Sequence, residues 1–242
     1  MKPNLLNLHN RKLWAIIPAA GSGSRFSKQE LKQYQTIQDK TVLEHTIQRL
    51  TQLPLSGYVL AISEMDHIAK KLSLSKSEIA HFCLGGNERV NSVLNGLNYL
   101  TTIADENDWV FVHDAARPCV SLQNLEDLIQ QAIAVDHSAI LATPVRDTLK
   151  YVENNTTQNI QKTVSRDQLW QAQTPQISKL GTLKNAIEYA LEKGLNITDE
   201  ASALEAVCEP VKVVIGRSDN IKITYPEDLE LARLIIDSQM VK

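Results

Sequence analysis

Short apolar runs rich in β-branched residues alternate along this chain with segments whose apolar positions recur at helical spacing. That alternation leaves few folds open. Trp14-Ala15-Ile16-Ile17, Tyr58–Ile62, His81–Leu84, Trp109–His113, Ala139–Ala142 and Val211–Ile215 read as strands. Between them Val42–Leu50, His67–Leu74, a segment capped by Asn87 with apolar face Val90, Val93, Leu94, Leu97 and Leu100, Leu122–Val135, Leu180–Leu191 and Pro226–Gln239 read as helices. Strands this apolar need cover on both faces. The pattern therefore predicts an α/β protein: a Rossmann-like, mostly parallel sheet with helices on both sides.

A chain of 242 residues can bury one such core, and no repeat, linker or low-complexity segment divides it. A single domain over residues 1–242 is expected. The rhythm breaks between Pro144 and Gln176, where Thr148–Val152 and Ile160–Val164 flank the polar segment Glu153–Asn159. This reads as a β-hairpin arm inserted at about 144–176. A lone hairpin is too thin to be stable and must pack on something; a second copy of the chain is one candidate.

Composition narrows the partners. The net charge of −3 does not advertise nucleic-acid binding, so any anion site must be built locally. No apolar run approaches the ~20 residues of a membrane span, and Met1–Lys12 lacks the apolar stretch of a signal peptide. Cys83, Cys119 and Cys208 are scattered and odd in number, which suits reduced, buried thiols in a cytoplasmic protein better than disulfides or a metal site.

The chemistry gathers at strand ends. The first strand runs into Pro18-Ala19-Ala20-Gly21-Ser22-Gly23-Ser24-Arg25, and Lys32 comes seven residues later. Small residues let backbone N–H groups approach an anion, and the two cations add charge beside them, a cradle for polyphosphate. Phe26 stands where a dinucleotide fingerprint needs its third glycine, and no Gly-Lys-Ser/Thr is present to make a P-loop. After the Trp109 strand, Asp114 is placed to hold a divalent cation or orient a hydroxyl, and Arg117 to meet a phosphate; His113 reads as core. Gly85-Gly86-Asn87-Glu88-Arg89 with Ser92 offers another bare backbone before a helix. The arm contributes Arg146, Asp147, Thr148, Arg166 and Thr174, and Asp219 to Lys222 come after the last strand.

In this order the motifs Pro18-Ala19-Ala20-Gly21-x-Gly23-x-Arg25, Lys32-Gln33-Tyr34, Gly85-Gly86-x-x-Arg89-x-x-Ser92-Val93, His113-Asp114-Ala115-Ala116-Arg117-Pro118, Arg146-Asp147-Thr148 and Asp219-Asn220-Ile221-Lys222 resemble the 2-C-methyl-D-erythritol 4-phosphate cytidylyltransferases of the non-mevalonate isoprenoid pathway. The resemblance runs from about Trp14 to the last helix. Leu31 departs from it where the family usually has Pro, and Asn87 where an acidic residue is common.

The resemblance implies a nucleotide-diphospho-sugar transferase type of fold whose hairpin arms interlock in a homodimer. It implies transfer of CMP from CTP to methylerythritol phosphate with release of pyrophosphate. Arg25 and Lys32 would be catalytic, with Mg²⁺ carried mainly on the CTP phosphates and Asp114 as a candidate ligand. Ala19, Ala20, Gly21, Gly23, Gly86, Asn87, Ser92 and Ala115 would surround the nucleotide. Asp114, Arg117, Thr148, Arg166, Thr174, Asp219 and Lys222 would hold the sugar phosphate, with Arg117, Thr148 and Arg166 reaching a neighbouring subunit's site. The nearest alternative is a ribitol-5-phosphate cytidylyltransferase, with the same fold, metal and nucleotide. A sugar-1-phosphate nucleotidylyltransferase fits the cation spacing poorly. A nucleotide-binding protein without activity is the reading from another class, and retention of Arg25 and Lys32 speaks against it.

Overall fold

The computed structural model describes residues 8, 10–21, 23, 25–27, 30–73, 77–153, 156 and 158–240. Most of the Met1–Lys12 lead-in, Ser22 and Ser24 of the first turn, and Leu74 of the expected His67 helix lie outside them. The chain runs through β1 (Leu13–Pro18), β2 (Thr36–Ile37), β3 (Lys40–Thr41), α1 (Val42–Leu50), β4 (Gly57–Ile62) and β5 (Ala80–Leu84). It continues with α2 (Arg89–Leu100), β6 (Trp109–Val112), α3 (Leu122–Val135), β7 (Ser138–Pro144), β8 (Leu149–Val152) and β9 (Ile160–Val164). Then come β10 (Trp170–Lys179), α4 (Leu180–Glu192), α5 (Glu200–Ala206), β11 (Val211–Ile215) and α6 (Glu227–Met240).

Seven strands form one sheet in the order β11-β7-β10-β6-β1-β4-β5. Neighbours pair in parallel except around β10, which is antiparallel to both β6 and β7. Alternate residues of each strand face opposite sides, and the core divides accordingly. Ala15, Ile17, Leu60, Phe111 and Leu141 pack with Leu43 and Ile47 of α1 and Leu125 and Leu128 of α3. Ile16, Val59, Val110 and Val112 pack with Val93 and Leu97 of α2 and Leu183 and Ile187 of α4. Each of the Val, Leu, Ile and Phe side chains among these contributes about 1.5–3 kcal/mol on leaving water. A third, smaller cluster seats α6 through Ala232 and Ile236 against Ile37, Val42, Ala116, Cys119 and Ile223.

The expected helices and strands mostly appear, with instructive exceptions. The described part of His67–Leu74, residues 67–73, contains a 3₁₀ turn at Ala69–Lys71 and no α-helix: Asp66 Oδ1 accepts from the Ile68 and Ala69 N–H groups, and Ala69 is the one buried residue of the turn. α2 is capped at Glu88, one residue beyond Asn87, with the Glu88 N–H donating to Asn91 Oδ1. Within 144–176, β8 and β9 pair only with each other among the described residues, and Trp170 pairs with Pro144 in the central sheet. All three cysteines are free, but of the three expected buried thiols only Cys119 is buried; Cys83 is half-buried and Cys208 exposed.

Topology fixes where a ligand can sit. From β1 the chain steps to β4 and β5 on one side, then crosses back to β6 on the other. In open α/β sheets the crevice at such a reversal, beyond the carboxyl ends of the strands, is the binding position. Here that crevice is bordered by the turns after β1, β5 and β6.

Candidate active site

The turn after β1 places Pro18, Ala19, Ala20 and Gly21 on the wall of a cavity of about 160 Å³. Gly21 is exposed, with open space where a side chain would stand. Gln33, nearly fully buried, donates from Nε2 to the Ala19 carbonyl at 2.9 Å and so ties this turn to the 3₁₀ turn Lys32–Tyr34. Lys32 thereby lines the same cavity, its Nζ donating to the Ile223 carbonyl at 2.9 Å. Gly23 adopts φ +65°, a conformation that favours glycine, and a Cβ there would sit 3.3 Å from Lys32 Cγ. Gly23 thus backs the Lys32 stem and does not border the cavity itself. Arg25 is exposed on the same loop, near enough for its charge to act on Lys32. Burial first, then the charge of Lys222 and, more weakly, that of Arg25 lower the Lys32 pKa below the ordinary lysine value, against opposing pulls from Asp114 and Asp228.

The second wall comes from Gly85 and Gly86 after β5. A Cβ on Gly85 would lie 2.3 Å from the Ala20 side chain, so the two turns touch only because this residue is bare. The Ser92 hydroxyl accepts from the Gly86 N–H at 2.9 Å and donates to the Glu88 carbonyl at 3.3 Å. Gly86, Asn87, Glu88 and Arg89 border the cavity beside it.

The third wall is His113 to Arg117. Asp114 is almost fully buried, yet its carboxylate faces three cations: Arg89 Nε at 2.9 Å, Lys222 Nζ at 2.7 Å and Arg117 Nε at 3.6 Å. Burial alone would raise its pKa; Arg89, then Lys222 and Arg117, outweigh it and hold the carboxyl well below the usual range. Ala115 and Ala116 complete this wall, and the Ala115 carbonyl is fixed by the Thr46 hydroxyl at 2.9 Å.

His113 is fully buried and, chiefly through burial, lowered to about 4, so it is neutral. Its Nε2 faces the Arg117 carbonyl at 3.1 Å and must carry the ring proton. Nδ1 therefore accepts from the Thr174 hydroxyl at 3.0 Å, and the same hydroxyl oxygen accepts from the Asp114 N–H at 3.0 Å. The Thr174 proton is committed.

Behind Asp114 lies a second cavity of about 190 Å³, lined by Arg117, Gln173, Thr174, Gln176, Thr198 and Asp199. Arg89, Asp114 and Lys222 line both cavities. Arg117 Nε is a buried donor without a hydrogen-bond partner on this second wall. Two adjoining compartments divided by a charged partition can hold two anions against each other.

A family model described as 2-C-methyl-D-erythritol 4-phosphate cytidylyltransferase matches residues 13–238. The chain belongs to this family. It is 69% identical over 228 residues to the 2-C-methyl-D-erythritol 4-phosphate cytidylyltransferase of Acinetobacter baumannii (strain SDF), covering 94% of this chain and 95% of that protein. It is 64% identical to that of Acinetobacter baylyi, over 99% of both chains. The crystal structure of the Francisella tularensis 2-C-methyl-D-erythritol 4-phosphate cytidylyltransferase superposes with a TM-score of 0.81 at 38% identity, covering 93% of this chain and 99% of that one.

In this cytidylyltransferase-family chain the fold brings Ala19, Ala20, Gly21, Lys32, Gly86, Asn87, Ser92, Asp114, Ala115 and Lys222 to the first cavity, and Arg117 and Thr174 to the second. Thr148 and Arg166 are exposed at the root of the arm, directly before β8 and just after β9, and border neither cavity. Asp219 also stays outside both; it pairs with Arg217 at 2.6 Å. Gln33 and Arg89 stand in the quoted motifs without a role of their own, and Gln173, Gln176, Asp199 and Glu200 stand in none; the Asp199-x-x-Ser202 capping pattern marks the helix start that carries the last two.

Proposed function

We propose that this chain transfers CMP from CTP to 2-C-methyl-D-erythritol 4-phosphate, releasing pyrophosphate in isoprenoid precursor synthesis, with the nucleotide in the first cavity and the sugar phosphate in the second. The observation that carries this reading is the shared wall of Arg89, Asp114 and Lys222 between two compartments. An oxygen of the sugar phosphate attacks the α-phosphorus of CTP. The new P–O bond forms as the bond to the bridging oxygen breaks, and pyrophosphate leaves with the electron pair. A phosphate monoester is already largely dianionic near neutrality, so the nucleophile needs no general base. His113, buried and pinned on both nitrogens, is not placed to be one.

The difficulty is repulsion between two anions, and catalysis is neutralisation and alignment. Lys32 and Arg25 face the triphosphate and stabilise the charge that builds on the transferring phosphorus. Ala19, Ala20, Gly21, Gly86, Asn87 and Ala115 contact the nucleotide, while Gly23 and Ser92 shape the loops that do. Lys222 and Arg117 neutralise the sugar phosphate and Asp114 orients them and a sugar hydroxyl. Thr174, its proton held by His113, supports Asp114 and can offer a sugar hydroxyl only a lone pair. Asp219 steadies Arg217 at the rim. Thr148 and Arg166 reach the site of a second copy through the arm.

A divalent cation, Mg²⁺ in our reading, arrives on the phosphates of CTP. The described side chains give it no donor set of their own: no three His, Cys, Asp or Glu converge, and both Asp114 oxygens face cations. The enzyme is assigned to the cytoplasm; no described helix is long and apolar enough to cross a membrane. The test is pyrophosphate release from CTP. Release should require both the sugar phosphate and the divalent cation and stop on chelation. Release without the acceptor would make the chain a hydrolase and overturn the two-compartment reading.

A further inference from the structure

With the sugar phosphate in the second cavity, Asp114 serves the acceptor, and the role of Glu200 rests on that placement. Arg89 lines both cavities and touches Asp114 through Nε only. Its other end is taken. Nη1 and Nη2 donate to Glu200 Oε1 and Oε2 at 2.6 and 3.0 Å, a paired fork that fixes the guanidinium plane.

Glu200 is 3% exposed, so this is a carboxylate buried beside the site and not a solvated surface charge. Its backbone is equally constrained. It opens α5 directly after the N-cap Asp199, and Gln176 of β10 holds that helix start from both sides. Gln176 Nε2 donates to Asp199 Oδ2 at 2.9 Å, and Gln176 Oε1 accepts from the Ala201 N–H at 2.8 Å.

The clamp has two consequences. With both terminal nitrogens on Glu200, Arg89 presents Nε to Asp114 Oδ1, which leaves Asp114 Oδ2 for Lys222 and Arg117. Glu200 also cancels the Arg89 charge, so Arg89 does not compete with Lys222 for the incoming phosphate. Released from Glu200, the guanidinium is free to turn away from Asp114 and into the acceptor compartment.

We propose that Glu200 is a positioning residue for the acceptor phosphate: it clamps Arg89, Arg89 orients Asp114, and Asp114 sets Lys222. Glu200→Gln keeps the shape and removes the charge. It should lower kcat/KM for the sugar phosphate ~10- to 100-fold, the scale of an ångström's misplacement, through a raised KM for that substrate and with the KM for CTP nearly unchanged. Glu200→Asp, which keeps the charge and only recesses it, should restore part of the loss.

The deciding measurement is a double-mutant cycle with Asp114→Asn. If Glu200 acts through Asp114, Glu200→Gln has little further effect once Asp114→Asn is present. Equal losses in both backgrounds, or KM values for both substrates rising together, overturn the proposal. Asp114→Asn raising the sugar phosphate KM while Glu200→Gln is silent overturns it alone. A silent Asp114→Asn overturns the acceptor reading with it. Should Glu200→Gln fail to fold, Glu200→Asp carries the same cycle with the same deciding outcomes.

Discussion

Lys32 concentrates the site's electrostatics in one side chain. Half-buried beside Lys222 and Arg25, it is held at a cost that a triphosphate bound as proposed would relieve. Removing its charge should therefore hurt turnover more than folding. Lys32→Met and Arg25→Met are each expected to lower kcat by ~10²–10³-fold, the loss seen when one donor to a developing oxyanion is deleted. Steady-state kinetics at saturating CTP check this, and near-normal turnover would remove either residue from its role. His113 makes the opposite kind of prediction. Burial lowers its pKa from 6.5 to about 4, so the unfolded chain takes up a proton that the folded chain resists. Stability from this residue is therefore fully present above about pH 6.5 and is lost as pH falls toward 4, amounting to about 3 kcal/mol. Urea unfolding across that range should show the slope, and His113→Gln should flatten it.

Strand β10 and helix α5 carry the second compartment, and neither is read from the sequence. β10 buries Gln173, Thr174, Gln176 and Ser178, polar groups of which Gln176 and Thr174 are satisfied by specific partners, so it shows no apolar alternation and contains a proline. α5 has seven residues and buries two alanines, one leucine and the carboxylate of Glu200, too little apolar surface for a periodic signal. Hydrophobic pattern reports burial in oil, not burial in hydrogen bonds. The parallel strands β1, β4 and β6, with apolar residues facing helices on both sides, were legible for that reason. So were the strand-end motifs around Gly21, Gly86 and Asp114, because the carboxyl edge of a parallel sheet fixes where such turns gather. The Gln176 link is testable as an element. Gln176→Leu should cost about 1–3 kcal/mol, the penalty for leaving the Ala201 N–H and Asp199 Oδ2 without the bonds Gln176 gives them. Hydrogen exchange should speed up at the start of α5 before it does in α4; unchanged exchange there would deny Gln176 its hold.

At the scale of the molecule, two features set against the seven-stranded sheet bear on function: the charged partition at its switch point and the β8–β9 arm. Tyr151 and Ile160 are 51% and 63% exposed on the arm, with Thr148 and Arg166 at its root. Joined arms would place those two residues at a second copy's acceptor compartment. Ile160→Asp should then raise the monomer fraction in sedimentation and the KM for the sugar phosphate together, leaving the KM for CTP little changed. A fully active monomer at micromolar concentration would contradict this. In the proposed reading the two compartments together join a nucleotide to one particular acceptor. The most direct test of that claim is pyrophosphate release with CTP and Mg²⁺, comparing kcat/KM for methylerythritol phosphate and ribitol phosphate on the same preparation. Strong preference for methylerythritol phosphate is the predicted result; equal or better turnover of ribitol phosphate would contradict it.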